Sequence, residues 1–231
     1  MGPGIRARDP GPRRPRRPRR PRRPRRARVP GDIAAPAGYH CGVRAERVCV
    51  FLSSSAGARP DYAAAARGVA QALAASGRTL VYGGASVGTM GVLADAAIAA
   101  GGRVVGVIPE RLLAREIGHA DLAELHVVPT MHARKARMFA EADAFITLPG
   151  GFGTLEETFE VLTAAQIGEH AKPVCLLDVV EFWRPLLAFL DHAVTEGVLH
   201  PANRALIGVA RSPAEALAWI DAEVARLATP A

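Results

Sequence analysis

The chain has 231 residues, of which 49% are hydrophobic, and this is enough for one domain with a full core. No apolar run approaches the roughly 20 residues of a membrane-spanning helix. Residues 1–30 contain 13 arginines and one aspartate. Residues 31–231 contain the other 16 of the 29 basic and 21 of the 22 acidic residues, so their net charge is −5 although the formal charge of the whole chain is +7. The three cysteines show neither metal-ligand spacing nor a pairing pattern, which fits a reducing cytosol and predicts a cytoplasmic protein without a secretory signal.

The N-terminal segment contains five consecutive copies of Pro-Arg-Arg over residues 12–26. Proline at every third position is incompatible with helix and sheet, and the arginines repel one another, so we expect a disordered tail and linker over residues 1–45. Two interpretations stay open: an electrostatic arm for nucleic acid or an acidic membrane, and a leader without function from a start codon assigned too far upstream. No aromatic residue is interleaved for base stacking, which weakens the nucleic-acid interpretation.

Strand and helix patterns alternate from Arg47 onward. Apolar runs predict seven strands, at residues 48–54, 79–84, 103–109, 124–129, 144–149, 173–178 and 205–210. Helices are predicted at residues 61–76, 89–100, 131–141, 181–196 and 213–227, with one more between the fifth strand and about residue 167. Continuous apolar strands that alternate with helices indicate one α/β domain over residues 46–231, with a mostly parallel sheet covered by helices on both faces.

Ligand sites in such sheets gather at the carboxyl ends of the strands, and three strand exits contain glycine, at residues 53–57, 83–91 and 149–154. GGASVGTMG has glycines at Walker spacing, but Thr89 stands where the lysine belongs. GFGTLE matches G-x-G-x-x-G at two glycines and has Glu156 at the third position. Free N–H groups at a helix start still favour an anion. A single phosphate on the glycines, with carboxylates that reach ribose hydroxyls, accounts for both features.

The same residues have a purely structural interpretation. TLEE, residues 154–157, matches a capping box in which Thr154 caps a helix and Glu157 reaches back from the third helical position. These residues alone leave a cap and a catalytic carboxylate open. In MHARKARM, residues 131–138, Arg134 and Lys135 lie one turn into a helix and by themselves favour a solvated helix face.

Taken together, these stretches resemble one family. PGGFGTLEE, residues 149–157, matches its P-G-G-x-G-T-x-x-E signature, and MHARKARM matches the M-H-x-R-K segment ahead of it. LVYGGASVGTMGVLADAA, GVIP, REI and EVLTAAQIGEHAKPVCLL keep the family's order and spacing. From about Val48 to the C-terminus, but not in the tail, the chain resembles the LOG (LONELY GUY) phosphoribohydrolases, which are often mislabelled as lysine decarboxylases.

The resemblance implies a Rossmann-like, doubly wound fold, a homodimer, and hydrolysis of the N-glycosidic bond of adenosine-type nucleoside 5′-monophosphates. The substrates would be cytokinin riboside 5′-monophosphates or AMP, and the products the free base and ribose 5-phosphate. Arg134 and Glu157 would be the catalytic pair. The implied substrate contacts are Glu116, Lys135, Gly83, Gly84, Gly150, Gly151, Gly153, Thr154, Glu156 and Thr163. A carboxylate stabilises the oxocarbenium-like charge of this reaction, which needs no metal or organic cofactor.

The chain departs from the family pattern at several positions. Leu52-Ser53 stands where Cys-Gly is common, and Ala85 replaces a glycine. Thr89 occupies a position where the family usually has leucine, and Ala164 one where tryptophan is common. Ala85, Thr89 and Ala164 predict an altered base pocket, and so an altered selectivity between plain and prenylated adenine.

Two other functions place different demands on the residues. A lysine decarboxylase needs a Schiff-base lysine in a pyridoxal phosphate site, and neither Lys135 nor Lys172 has such a context. A nucleotide-binding regulator without turnover is the alternative from another class. The intact pair of Arg134 and Glu157 argues against it and favours the enzyme.

Overall fold

The computed structural model describes Met1 and residues 44–113, 118–119, 122 and 124–229. The predicted tail and linker lie almost wholly outside the described residues, and so does Glu116. The strands of the described chain are β1 (Arg47–Phe51), β2 (Thr79–Tyr82), β3 (Val104–Pro109), β4 (Glu124–Val128), β5 (Ala144–Thr147), β6 (Val174–Leu177) and β7 (Ile207–Ala210). Each corresponds to a predicted strand.

Helices follow the strands as the pattern predicts. They are α1 (Pro60–Ala75), α2 (Gly88–Ala99), α3 (Glu110–Leu113), α4 (Met131–Glu141), α5 (Phe152–Gln166), α6 (Arg184–Thr195), α7 (Pro201–Arg204) and α8 (Pro213–Ala228). The sequence patterns missed the short α3 and α7, and a 3₁₀ helix at Val179–Glu181, because one turn contains too few residues for a 3.6-residue periodicity to emerge.

All seven strands pair in parallel in the order β4-β3-β2-β1-β5-β6-β7. The chain extends the sheet from β1 to β4 on one side, then crosses back to place β5 on the other side of β1. The carboxyl ends of β1 and β5 therefore flank the topological switch point, where open α/β sheets bind ligands.

The core lies on both faces of the sheet because side chains alternate along each strand. Val48 and Val50 of β1 face the layer that contains α1, α2 and α8. Cys49 and Phe51 face the layer that contains α4 and α5. Both sides of β1, β3, β5 and β6 are almost fully buried, so apart from Arg47 and Thr147 these strands are apolar rather than alternating.

An ion pair between a buried arginine and a partly exposed aspartate connects the start of β2 to the last helix. Arg78, just before β2, is 4% exposed, and its Nη2 donates to both carboxylate oxygens of Asp221 in α8, at 2.9 and 2.7 Å. The charged partner makes burial of the guanidinium tolerable.

Candidate active site

A cavity of about 240 Å³ opens at the carboxyl ends of β1, β2 and β5, which is the switch point of the sheet. All three glycine-containing strand exits contribute to its wall: Ser53 and Ser54 from the first, Gly83 from the second, and Gly151 to Thr154 from the third. The topology therefore assembles segments that lie about 100 residues apart in sequence.

Arg134 of α4 lies in the wall of this cavity and is only 6% exposed. Its Nε donates to the carbonyl oxygen of Val107 in β3 at 3.1 Å, and its Nη2 donates to the carbonyl oxygen of Gly83 at 2.9 Å. Nη1 lies 3.5 Å from the sulfur of Met131, one turn earlier in the same helix. The interpretation of Arg134 as part of a solvated helix face is therefore wrong.

Gly83 is the residue that makes room for this arginine. A Cβ atom at position 83 would overlap the Arg134 guanidinium. Glycine at this strand exit is therefore required by the side chain packed on it.

The third glycine-rich exit forms the N-terminus of α5. The N-cap residue is Gly151, which has no side chain to cap the helix. The first amide of this turn that bonds within the helix is that of Leu155, which donates to the Gly151 carbonyl oxygen at 3.0 Å. The amides of residues 151–154 thus have no partner within the helix, and all four residues line the cavity. This turn has the features of an anion-binding helix start.

The capping-box interpretation of residues 154–157 is wrong, because the helix begins two residues before Thr154. Thr154 is buried inside the first turn, and its carbonyl accepts a bond of 2.6 Å from the Thr158 hydroxyl. No hydrogen bond joins the Glu157 carboxyl group to another residue in the described part of the chain. Glu157 is therefore not a cap of its own helix.

Glu157 is half-buried and lines the same cavity as Arg134. Burial raises the pKa of its carboxyl group to about 7, and the nearby Arg134 charge opposes that shift. Glu156 and Glu160 raise this pKa further, and Lys135 lowers it. A carboxyl group that titrates near neutral pH in a cleft is typical of an acid–base or charge-stabilising role.

This chain is similar to several known proteins. A protein-family model described as "Possible lysine decarboxylase" matches residues 90–220. A Rhodococcoides fascians protein named cytokinin riboside 5′-monophosphate phosphoribohydrolase is 50% identical over 174 residues, which cover 75% of this chain and 88% of that protein. An Arabidopsis thaliana protein of the same name is 49% identical over 164 residues, which cover 71% and 76% of the two chains.

This chain belongs to the LOG family. A solved structure extends the comparison to the fold: the molybdenum cofactor binding protein of Rippkaea orientalis has a TM-score of 0.58 and 22% identity, and the alignment covers 78% of this chain and 98% of that one. At that identity the likeness concerns the fold alone, and it confirms the Rossmann-like, doubly wound architecture.

The lysines of this LOG-family chain do not support the chemistry in the name of the matching family model. Lys135 forms ion pairs with Glu156 and, at 3.0 Å, with Glu160. The Lys172 ammonium donates to the carbonyl oxygen of Phe139 at 2.7 Å and lies 4.1 Å from the centre of its ring. Neither lysine lines the cavity at the switch point.

Some residues that the resemblance implied as substrate contacts lie outside this cavity. Lys135 faces a neighbouring cavity between α4 and α5, Gly150 lines another beside Phe182, and Thr163 and Glu156 lie on the outer side of α5. Gly84, with a φ of 74°, packs against the backbone of Val107. The switch-point cavity of the LOG-family chain brings together Arg134, Glu157, Gly83, Gly151, Gly153 and Thr154.

Several apolar residues of the cavity were missed from the sequence. Met131 and Met138 flank Arg134 on one face of α4, and Met90 and Leu112 also line the cavity. The spacing of three and four residues around Arg134 was the signal that could have identified the two methionines of α4. Among the described residues, no group of three or more His, Cys, Asp or Glu side chains could hold a metal ion.

Proposed function

We propose that this chain hydrolyses the N-glycosidic bond of adenosine-type nucleoside 5′-monophosphates and releases the free base and ribose 5-phosphate. The observation that carries the proposal is the convergence of Arg134, Glu157 and the glycine-rich start of α5 on one cavity. Relatives with 50% and 49% sequence identity are named for this activity.

The start of α5 supports the role of a phosphate anchor. Four amides without helical partners and the positive end of the helix dipole favour an anion there. Glu157 lies one turn further along the helix, so a nucleotide held by its phosphate would present its sugar to this carboxyl group. Binding energy at the phosphate can then contribute to catalysis at the glycosidic bond.

Glu157 has the chemistry that cleavage of this bond requires. Departure of the base leaves an oxocarbenium-like positive charge on the ribose, which an adjacent carboxylate stabilises. With a pKa of about 7, the group is also able to accept a proton from an attacking water molecule.

Arg134 has a separate role in the proposal. Its guanidinium is held by the carbonyls of Val107 and Gly83, so its charge cannot swing into solvent. A fixed cation beside the base stabilises negative charge on the leaving group without reorganisation during the reaction.

The proposal is tested by base release from AMP and from adenosine, followed by chromatography. We expect adenine from AMP and a specificity constant for adenosine at least about a hundredfold lower, because the nucleoside lacks the anchored phosphate. Equal constants would refute the anchor. Tight AMP binding without release of base would support the alternative, a nucleotide-binding regulator.

We also propose that the protein forms a homodimer through the outer face of α5. Phe152 is 93% exposed and Ile167 is 65% exposed, and Phe159 lies on the same face between them. Three large apolar side chains on one exposed helix face are typical of a protein interface. Light scattering of the native chain and of a Phe159→Glu variant tests this, since a charge at the centre of the interface should yield monomers.

The cytoplasmic location stays a prediction. Cys49 and Cys175 are buried free thiols, which is compatible with a reducing compartment. None of the described helices is long and apolar enough to cross a membrane.

A further inference from the structure

The anion-binding turn and Glu157 lie in the chain between two buried threonines. Thr147 is the last residue of β5 and is 0% exposed, and Thr158 lies in the second turn of α5 and is 2% exposed. Their hydroxyl oxygens are 3.0 Å apart. Residues 148–157, between the two, contain the four amides without helical partners and the carboxyl group of Glu157. A hydrogen bond therefore connects the two ends of this segment of the site.

The direction of this bond follows from the number of protons. Each hydroxyl group has one proton to donate. Thr158 donates its proton to the carbonyl oxygen of Thr154 at 2.6 Å. In the contact between the two hydroxyls, Thr147 is therefore the donor and Thr158 the acceptor. Two successive hydrogen bonds thus run from the end of β5 to the first turn of α5, and successive bonds of this kind strengthen one another.

The segment between the threonines has few constraints of its own. Gly150, Gly151 and Gly153 lack the side chains that restrict a backbone, and the N-cap Gly151 makes no side-chain hydrogen bond to the helix. Thr154 packs on Gly150, where a Cβ atom would overlap its hydroxyl group. The position of the turn relative to the sheet therefore depends on the bonds at its two ends.

Stability alone does not account for two hydroxyl groups at these positions. Thr147 pairs with Phe51 and Leu176 on the adjacent strands, and both of these residues are buried. Valine has nearly the shape of threonine, and replacement of both partners of a buried hydrogen bond by apolar groups can leave stability unchanged or raise it. A hydrogen bond differs from an apolar contact in its direction, so it also fixes how far α5 lies from β5 and how it is rotated.

We propose that the hydroxyl pair of Thr147 and Thr158 positions the site. It holds the amides of residues 151–154, at the phosphate, and Glu157, at the ribose, in a fixed place relative to the end of β5. The inference rests on the proposed hydrolysis and goes beyond it, because it assigns a role to two residues that do not line the cavity. Small displacements of a reacting group are costly in rate, so loss of the pair lowers kcat more than it weakens binding.

The first test is Thr147→Val, which removes the bond from the strand and leaves the bond from Thr158 to Thr154 in place. We expect kcat for base release from AMP to fall at least tenfold, which corresponds to about 1.4 kcal/mol of transition-state free energy. The Kd for ribose 5-phosphate, measured by calorimetry, should stay within about threefold, since the free amides remain. An unchanged kcat in this variant would overturn the inference.

The double variant Thr147→Val/Thr158→Val separates geometry from stability. Thr158→Val alone leaves the buried Thr147 hydroxyl without its acceptor, so the melting temperature should fall. The second valine removes that unpaired group, so the double variant should recover the melting temperature but not kcat. Recovery of both together would show that the pair only stabilises the fold, and it would overturn the inference. Thr147→Val decides the question by itself if the double variant fails to fold.

A conservative variant and a matched control complete the set. Thr158→Ser retains the hydroxyl group and should keep kcat within about threefold of that of the unmodified chain. Thr195, the last residue of α6, donates to the carbonyl oxygen of Asp191 at 3.1 Å, which is the same bond to a residue four positions earlier. Thr195→Val should leave kcat unchanged. A tenfold loss in either variant would overturn the inference.

The same measurements separate this inference from the proposed function. Release of base from AMP with a kcat that the valine substitutions do not alter refutes the positioning role and leaves the hydrolase intact. Absence of base release from AMP by the unmodified chain refutes both.

Discussion

The Nη2 atom of Arg134 donates to the carbonyl oxygen of Gly83 at 2.9 Å, and no side chain larger than hydrogen fits at position 83 while this bond exists. The strand exit and the α4 arginine are therefore one structural unit, although 51 residues separate them. Because Gly83 has no side chain, the Arg134 guanidinium can pack directly against its backbone.

This relationship predicts the effect of Gly83→Ala. The added methyl group would force the Arg134 guanidinium away from the carbonyls of Gly83 and Val107, so we expect a loss of about a hundredfold or more in kcat. Steady-state base release from AMP measures it.

The control is a double-variant cycle with Arg134→Lys. Because both substitutions disrupt the same group, their effects on kcat should be far from additive. Additive losses would mean that Gly83 and Arg134 act independently of each other and are not one structural unit.

A second prediction concerns Glu157→Gln. Glutamine has nearly the same shape but carries no charge, so turnover should fall on the order of a hundredfold or more, while AMP still binds and the protein stays folded. Base release, nucleotide affinity and melting temperature are measured on one preparation. A rate near that of the unmodified chain would exclude Glu157 from the chemistry.

The raised pKa of Glu157 predicts a dependence of stability on pH. The folded pKa of about 7 lies above the ordinary carboxyl value, so the folded state holds an extra proton between those two values. The free energy of unfolding should therefore fall as pH rises from about 5 to about 8, by about 1–2 kcal/mol after allowance for partial exposure.

Glu157→Gln is the matched variant for this measurement. It should lack this component of the pH dependence, so that it is more stable than the unmodified chain at pH 8 and nearly equal to it at pH 5. Denaturant unfolding at several pH values gives both curves. Parallel curves would show that the carboxyl group has an ordinary pKa.

The rate should depend on the same titration. If the ionised Glu157 stabilises the sugar charge, kcat/KM for AMP should rise with pH and level off above about pH 7. The Arg134 charge lowers this pKa, so an Arg134→Met variant with residual activity should show its midpoint at higher pH. A midpoint near pH 4 in the unmodified chain would contradict the prediction.

Removal of residues 1–42 should leave folding and hydrolysis intact. The first strand begins at Arg47, and the Pro-Arg-Arg repeats end well before it. Circular dichroism, thermal melting and base release from AMP compare the two chains. An unfolded or inactive truncated chain would refute this prediction, and a salt-sensitive affinity for nucleic acid that disappears with the segment would support the electrostatic-arm interpretation.

The sequence by itself determined the parallel α/β architecture, because strand and helix periodicity depend on residues that are near one another in the chain. The glycine-rich turn was also evident from the sequence, whereas Arg134 and Glu157 were predicted as a pair only through the resemblance of two short segments to the LOG family. The start of α5 was misplaced by three residues, since TLEE satisfies the local pattern of a capping box with Thr154 as the cap, and only the course of the preceding turn makes Gly151 the cap.

Only the tertiary structure decided what these residues contact. Arg134 became a buried, fixed cation because the strand order brings the carbonyls of β3 and of the β2 exit beside α4. Glu157 acquired a pKa near 7, and Lys135 two carboxylate partners, through helices that are adjacent in space. Burial and charge depend on groups far apart in the chain, so they follow from the packed sheet and helices and are absent from any local pattern of residues.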